Sequence, residues 1–129
     1  MSKELNATPG YREHYNVHPK LYATNVINDD GNPTGGGVSL VVVPFKPFID
    51  IRWQDGPRGQ ADGSLAPPNG AFVEDVIWAA LQRLEFFNQT QYKDRANSIA
   101  ITHLEQALQA LKDRQLERSH RGVEGKHEV

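Results

Sequence analysis

Three short runs of β-branched and aromatic residues precede two long stretches with a helical period. The runs are LYATNVIN (21–28), VSLVVV (38–43) and FIDIRW (48–53), separated by clusters of Gly, Pro and Asn. Residues of these types fit a pleated, half-buried surface, and the separating residues favour turns. We therefore predict a small antiparallel sheet.

The third run alternates in polarity. One side carries Ile49, Ile51 and Trp53, and the other carries Phe48, Asp50 and Arg52. Successive side chains of a strand point to opposite faces, so we expect the apolar face to be covered. GNPTGGG (31–37) leads into a strand and not into a helix, so we interpret it as a hairpin turn and not as a phosphate-binding loop.

From Gly70 to about Gln89, apolar residues recur at intervals of three and four. They are Val73, Val76, Ile77, Ala80, Leu81, Leu84 and Phe87. This spacing is typical of an amphipathic helix. We expect Asn69 to be the N-cap, and Glu74 and Asp75 suit the positive end of the helix dipole.

A second helix is predicted over about Arg95–Arg118, after a connection at residues 90–94. Its apolar positions, spaced by three and four, are Ile101, Leu104, Leu108 and Leu111. Asn97, Gln115 and Arg118 continue this a/d seam. Because a short connection joins two long helices, we expect an antiparallel hairpin.

These elements predict an α+β fold: a small N-terminal antiparallel β-sheet followed by a C-terminal antiparallel two-helix hairpin. We expect three segments along the chain. They are a polar N-terminal tail (1–19), a β-sheet segment with a loop (20–68), and the hairpin domain with a C-terminal tail (69–129).

Composition narrows the classes of protein. The chain has 129 residues, a net charge of −2 and no cysteine. The length fits one domain, and the charge disfavours a surface for duplex nucleic acid, which is basic. No apolar run approaches the roughly 20 residues of a membrane span. We expect a cytoplasmic protein without disulfides that binds neither a membrane nor duplex nucleic acid.

No group of side chains predicts catalysis or metal binding. His14 and His18 have the spacing of two metal ligands on a helix, but Pro19 follows and no third ligand is near. His103 is interpreted as a packed or solvated residue beside the seam. No nucleophile has an evident base, so we expect no catalytic residue, no metal and no cofactor.

Several residues are candidates for anion or base binding, each with a structural alternative. Arg114 and Arg118 lie four positions apart, and Arg121 follows. They could bind an anion, or they could only interact favourably with the negative C-terminal end of the helix dipole. Phe87 could stack on a base or belong to the core. Asn97 could contact a ligand or fix helix register.

Arg58 lies in WQDGPRG (53–59), where the glycines could leave backbone amides open to an anion. A plain turn is the alternative.

Three stretches, which carry all of these residues except Phe87, resemble a known family. WQDGPRG, NGAFVEDV (69–76) and NSIAITHLEQALQALKDRQLERSHRGVEGKHEV (97–129) resemble phage Thoeris anti-defence proteins of the first described type. The helical hairpin of those proteins is shared with anti-CBASS cyclic-oligonucleotide sponges. The resemblance covers about residues 50–129, and ALxxLxxRxxxRxxRGVEGxH is its most specific pattern. Lys126 departs from it, since a small polar residue is common there.

The resemblance implies a non-enzymatic sponge that sequesters cyclic ADP-ribose isomers such as glycocyclic ADP-ribose, in the cytoplasm of an infected bacterium. Some family members also take cyclic trinucleotides of CBASS at separate sites, and the family assembles as a hexamer of paired dimers. Ligand contacts are implied at Phe87, Asn97, Arg114 and Arg118, and more weakly at Arg58, Phe86 and Arg121.

Helix geometry adds a constraint to these implied roles. Asn97 and Arg118 are 21 positions apart in the sequence, which on one helix is about 30 Å. One nucleotide-sized ligand cannot span that distance, so both residues can contact it only from different protomers. We therefore predict a homo-oligomer with shared sites. Gly122 and Gly125 would let residues 122–129 fold back over such a site.

Two other classes of function remain open from sequence alone. One is an enzyme that opens a cyclic nucleotide, and the other is a structural phage protein that uses the hairpin only to oligomerise. The first would yield a linear product from the ligand. The second would bind no ligand through Arg114 and Arg118.

Overall fold

The described part of the chain contains four named β-strands followed by two long α-helices. The structure is a computed structural model and describes residues 3–5, 14, 15, 17–42 and 46–120, without the side chains of residues 3–5 and 118–120. Two compact units meet in sequence between Ala71 and Phe72, the first holding the sheet and the second the helices. The predicted α+β class, with an N-terminal sheet and a C-terminal helical pair, is confirmed.

The sheet is a meander of antiparallel strands in the order β1-β2-β3-β4. The strands are β1 (Lys3–Leu5), β2 (Leu21–Ile27), β3 (Pro33–Val41) and β4 (Pro47–Arg52). The runs predicted at 21–28 and 48–53 are confirmed to within one residue. β1 was not predicted: it pairs with Asn25–Ile27, so part of the predicted polar tail belongs to the sheet.

The interpretation of residues 31–37 as a hairpin turn was wrong, because β3 already begins at Pro33. The turn lies at residues 28–32, where the Asn28 side-chain oxygen accepts hydrogen bonds from the backbone N–H of Asp30 (2.9 Å) and Asn32 (3.0 Å). An Asx-type turn of this kind needs no glycine run.

The glycines of β3 instead allow close approach between strands. Gly36 has φ +111°, and a Cβ there would collide with the carbonyl oxygen of Thr24 in β2. A Cβ on Gly37 would collide with the carbonyl oxygen of Ile51 in β4. These positions accept only glycine without a shift of the neighbouring backbone.

The expected helix start at Gly70 with Asn69 as N-cap was also wrong. The Asn69 side chain is engaged elsewhere: its oxygen accepts from the backbone N–H of Asp55 (2.8 Å), and its amide donates to the Asp55 carbonyl (2.9 Å). Ala71 then extends the edge of β4, donating to the Arg52 carbonyl (2.7 Å) and accepting from the Gln54 N–H (3.0 Å). The chain is therefore extended where a helix was expected.

Helix α1 spans Val73–Asn88 and helix α2 spans Arg95–His120. The N-cap of α1 is Phe72, whose backbone N–H donates to the Asp75 carboxylate (2.8 Å). At the start of α2, the Asp94 carboxylate accepts from the Ala96 N–H (2.7 Å) and so satisfies a first-turn amide. Apart from the start of α1, the predicted helix bounds are confirmed to within two residues.

The helices pack against each other and run antiparallel, because only residues 89–94 connect them. Leu81 of α1, 6% exposed, is the only buried hydrophobic side chain in the part of the chain that the structure describes. Side chains of the α2 seam are only half-buried: Ile101, Leu104, Leu108 and Leu111. The hairpin therefore has a thin core within a single chain.

The apolar face predicted for β4 is only partly covered. Ile49 is 37% exposed, while Ile51 and Trp53 are half-buried. On the opposite face, Phe48 is 67% exposed. Neither helix among the described residues is apolar and long enough to cross a membrane.

Candidate functional site

Two adjacent phenylalanines form an aromatic pair near the end of α1. The ring centroids of Phe86 and Phe87 are 5.8 Å apart, at an interplanar angle of 58°. Phe86 is 54% exposed, whereas Phe87 is half-buried. The half-buried Phe87 is compatible with either alternative, a core residue or a stacking surface for a base.

Arg83, one turn earlier on α1, covers this aromatic pair. Its guanidinium carbon lies 4.7 Å from the centroid of Phe87 and 5.2 Å from that of Phe86. Residues three and four apart are neighbours on a helix surface, which accounts for both contacts. Distances below about 6 Å are typical of cation–π pairs. The pattern of apolar positions did not single out Arg83, because it lies beside the stripe and not in it.

A hydrogen-bond network ties the end of α1 to the start of α2. The Asn88 amide donates to the Ser98 hydroxyl (2.9 Å), and its carbonyl oxygen accepts from the Asp94 N–H (3.2 Å). The half-buried Asn97 donates to the Tyr92 carbonyl in the connection (3.4 Å). Because Asn88 follows Phe87 and Ser98 follows Asn97, this network brings the two predicted ligand residues to the same end of the hairpin.

Arg114 lies toward the opposite end of α2. The helix is continuous from Arg95 to His120. Because Asn88 at the end of α1 contacts Ser98 and α1 has 16 residues, the start of α1 lies opposite about residue 113, and about 10 Å of α2 extends past it. Arg114 and Arg118 belong to this extension, which also carries Leu116, 51% exposed. Within the described residues, Arg114 is exposed and has no hydrogen bond or ion pair.

The structure therefore divides the predicted ligand set between the two ends of the hairpin. Phe86, Phe87 and Asn97 lie at the connection, whereas Arg114 and Arg118 lie some 17 to 21 residues further along α2, or about 25 to 30 Å. Arg121 and residues 122–129 lie outside the described residues.

Arg58 belongs to the loop of the N-terminal unit. Its Nε donates to the Ala66 carbonyl (2.7 Å), and the Ala66 N–H donates to the Arg58 carbonyl (2.7 Å). The loop is further closed by Ser64, whose hydroxyl and amide donate to Asp62 and hold the pKa of that carboxyl below its usual value. Arg58 thus braces this loop through both its side chain and its backbone.

The histidines considered as metal ligands have other contacts. His18 accepts a hydrogen bond from the Lys20 N–H at Nδ1 (3.0 Å), and His14 makes an edge contact with the Tyr15 ring (4.6 Å between centroids). His103 is exposed on α2. Among the residues that the structure describes, no group of three or more His, Cys, Asp or Glu side chains could hold a metal ion.

Comparison with known proteins assigns the hairpin to a family. A sequence model described as the Acb2/Tad1 hairpin domain matches residues 46–115, which is more than half of the chain. This chain belongs to the Acb2/Tad1 hairpin-domain family. The Acb2/Tad1 match covers β4, the loop, α1 and α2 as far as Gln115, so it includes Phe87, Asn97 and Arg114 but not Arg118.

Part of the chain is also similar to a Bacillus phage protein. "Thoeris anti-defense 1" of Bacillus phage SBSphiJ7 is 47% identical over 60 residues, which are 46% of this chain. The matched part spans 42% of the length of that relative. The resemblance stated from the sequence motifs is thereby confirmed at the level of the family.

Two features of the Acb2/Tad1 hairpin were missed from sequence. Arg83 could have been found from its i, i+3 and i, i+4 spacing to the two phenylalanines. Asn88 and Ser98 carry no such signal, because their hydrogen bond joins residues from two helices and depends on how the connection folds.

Proposed function

We propose that this chain is a non-enzymatic Thoeris anti-defence protein that binds and sequesters cyclic ADP-ribose isomers, glycocyclic ADP-ribose among them, in the cytoplasm of an infected bacterium. The observation that carries the proposal is the split site: an aromatic pair with Asn97 at one end of the hairpin, and unpaired Arg114 at the other. An exposed ring suits a base, and an unpaired guanidinium suits a phosphate. The name of the phage relative supplies the biological setting.

The affinity of such a site is adequate for capture. One stacked base contributes about 1–3 kcal/mol, and each hydrogen bond to a charged group contributes about 1.5–3 kcal/mol. One stack with three or four such bonds corresponds to dissociation constants in the micromolar to nanomolar range. No proton transfer or nucleophile is required, because sequestration leaves the ligand intact.

The separation of the two ends requires a second copy of the chain. When two α2 helices pack antiparallel, Asn97 of one copy lies opposite Arg114 and Arg118 of the other. The two-fold axis then passes near the midpoint of these positions, at residues 106–107. One face of α2, which continues to Arg114, carries alanines spaced by four, seven and three positions: Ala96, Ala100, Ala107 and Ala110. Small residues allow two helices to approach closely, so this face suits the antiparallel packing.

A retention experiment tests the proposed function. The purified protein is incubated with cyclic ADP-ribose isomers and cyclic di- and trinucleotides, washed, and then heat-denatured, and the released molecules are identified by mass spectrometry. We expect an intact cyclic ADP-ribose isomer. A linear product would support the ring-opening enzyme, and retention of no ligand would support the structural protein. Release of a cyclic trinucleotide as well would add the CBASS signals to the ligands.

A complementation experiment tests whether the site is shared. Asn97→Ala and Arg118→Ala should each abolish tight binding. When the two variants are co-expressed in equal amounts, half of the dimers are mixed, and each has one site with both changes and one with neither. Binding should therefore return to about one quarter of the wild-type sites in a two-fold assembly. A site built within one chain would show no recovery.

Three such dimers would form the hexamer expected from the family resemblance. Native mass spectrometry distinguishes a dimer from a hexamer directly. A dimer that binds the ligand fully would retain the shared site and remove the hexamer from the proposal.

A further inference from the structure

The guanidinium of Arg83 lies over two aromatic rings and has no carboxylate partner among the described residues. Arg83 is the one basic residue of α1. Within the described part of the chain it pairs with no carboxylate, and its only recorded contacts are the rings of Phe86 and Phe87. Glu85, two residues away, accepts instead from the Gln82 amide (3.5 Å).

Stacking on a ring leaves the hydrogen-bonding edge of a guanidinium free. The N–H donors lie in the plane of the group, so a guanidinium over an aromatic face can still donate to a third molecule. The guanidinium carbon lies within 5.2 Å of both ring centroids, and Arg83 is exposed, so its N–H donors are accessible from solvent. Such a donor is preorganised for an anion.

We propose that Arg83 binds a phosphate of the ligand whose base stacks on the Phe86–Phe87 pair. The inference rests on the proposed function and adds a residue to that site from the same protomer as the rings. Arg114 and Arg118 of a second copy supply the remaining cations. The pyrophosphate of a cyclic ADP-ribose carries two negative charges, so contacts from both copies can share it.

The orientation of the ligand follows from this assignment. In a nucleotide, one ribose separates base and phosphate, and here the ring of Phe87 and the guanidinium of Arg83 are neighbours. A ligand that stacks on the pair therefore directs one phosphate back along α1 toward residue 83. The other phosphate faces the second copy.

Three variants test the contact by calorimetry with glycocyclic ADP-ribose. Arg83→Met keeps an apolar chain over the rings and removes the charge, and should weaken binding at least tenfold. Arg83→Lys keeps the charge without the planar fork and should lie between Arg83→Met and wild type. Lys46→Met removes an equal charge from an exposed position in the N-terminal unit and should stay within twofold of wild type.

Salt and a phosphate-free ligand separate a phosphate contact from a role in holding the rings. The difference between wild type and Arg83→Met should shrink as ionic strength rises from about 0.05 to about 0.5 M, because a charge contact is screened. Binding of adenosine, which has no phosphate, should be equal in both proteins.

Each other result overturns the inference. Arg83→Met within twofold of wild type removes Arg83 from the site and leaves the proposed function standing. An equal loss for adenosine, or loss of the oligomer in native mass spectrometry for both Arg83→Met and Arg83→Lys, makes Arg83 a structural residue. If wild type retains none of the cyclic nucleotides, the proposed function fails and the Arg83 contact fails with it.

Discussion

The adjacent rings of Phe86 and Phe87 can be separated by single substitutions. Phe87→Leu keeps an apolar side chain in the hairpin but removes the stacking face, so binding of glycocyclic ADP-ribose should weaken about tenfold or more. The cost in stability should remain below about 1.5 kcal/mol, because the change is between apolar residues of related volume. Calorimetry and urea unfolding measure the two quantities. Phe86→Leu measures the share of the second ring in the same pair and should weaken binding less than Phe87→Leu; a larger loss there would exchange the roles of the two rings.

Gly36 is the residue of the sheet that should tolerate change least. An added Cβ meets the Thr24 carbonyl oxygen, and φ is +111°, which alone costs a non-glycine residue about 1–3 kcal/mol. Gly36→Ala should therefore lower the free energy of unfolding by at least that amount. Gly35→Ala is the control, since the nearest atoms to its Cβ are those of the Asp55 carboxylate at 4.0 Å. Equal stability of the two variants in denaturant unfolding would contradict the close approach.

Residue types and spacing singled out part of the candidate site before the fold was known. Phe87, Asn97 and Arg114 stood out because an aromatic, an amide and a cation occupied positions on predicted helices where ordinary packing left their role open. Arg83 did not stand out, since its neighbours in sequence give no hint that its charge is unpaired. Its proposed role rests on the short distances to the two rings, which the i, i+3 and i, i+4 spacing allows.

Asn88 is the brace of the helical hairpin. It donates to Ser98 and accepts from Asp94, so Asn88→Ala removes two hydrogen bonds, each contributing about 0.5–1.5 kcal/mol. We expect a loss of about 1–3 kcal/mol in denaturant unfolding. Ser98→Ala removes one of the two bonds and should cost about half as much. If the Ser98 variant lost as much as the Asn88 variant, the bond to Asp94 would contribute nothing.

Helices were predicted well and segment boundaries less well, for physical reasons. Apolar residues every three or four positions persist over most of α1 and α2, so their existence does not depend on distant partners. The first residues of β3 and α1, in contrast, are set by contacts with residues distant in sequence. Gly36 and Gly37 lie in a strand because neighbouring strands approach closely there, and Asn69 binds Asp55 instead of capping a helix.

Assembly around the midpoint of α2 can be tested by cross-linking, because the chain has no cysteine. With a two-fold axis near residues 106–107, position 107 of one protomer lies opposite position 107 of the other. The Ala107→Cys variant should therefore form an intermolecular disulfide on mild oxidation. Gln109→Cys lies on the same helix but on a different face and should remain monomeric on a non-reducing gel. Efficient cross-linking of Gln109→Cys with none from Ala107→Cys would place the axis on another face.

At the scale of the whole molecule, the prediction of an oligomer rests on a distance and not on burial, and it stays a prediction. The separation of Asn97 and Arg118 required only a continuous helix, which α2 provides. The partial exposure of the α2 seam and of Ile49 could not be foreseen, because an apolar pattern does not tell which surface covers it.

Leu81, alone in its depth of burial among the described side chains, has a consequence for infection. In the assembly proposed above, a chain with so thin a core would gain much of its folding free energy from association, and its stability would then depend on its own concentration. The first copies translated after infection would be dilute and poorly protected, so the proposed capacity to bind the signal would appear only beyond a threshold number of chains. Promoter strength and timing, more than affinity, would decide whether the cell's defence fires first.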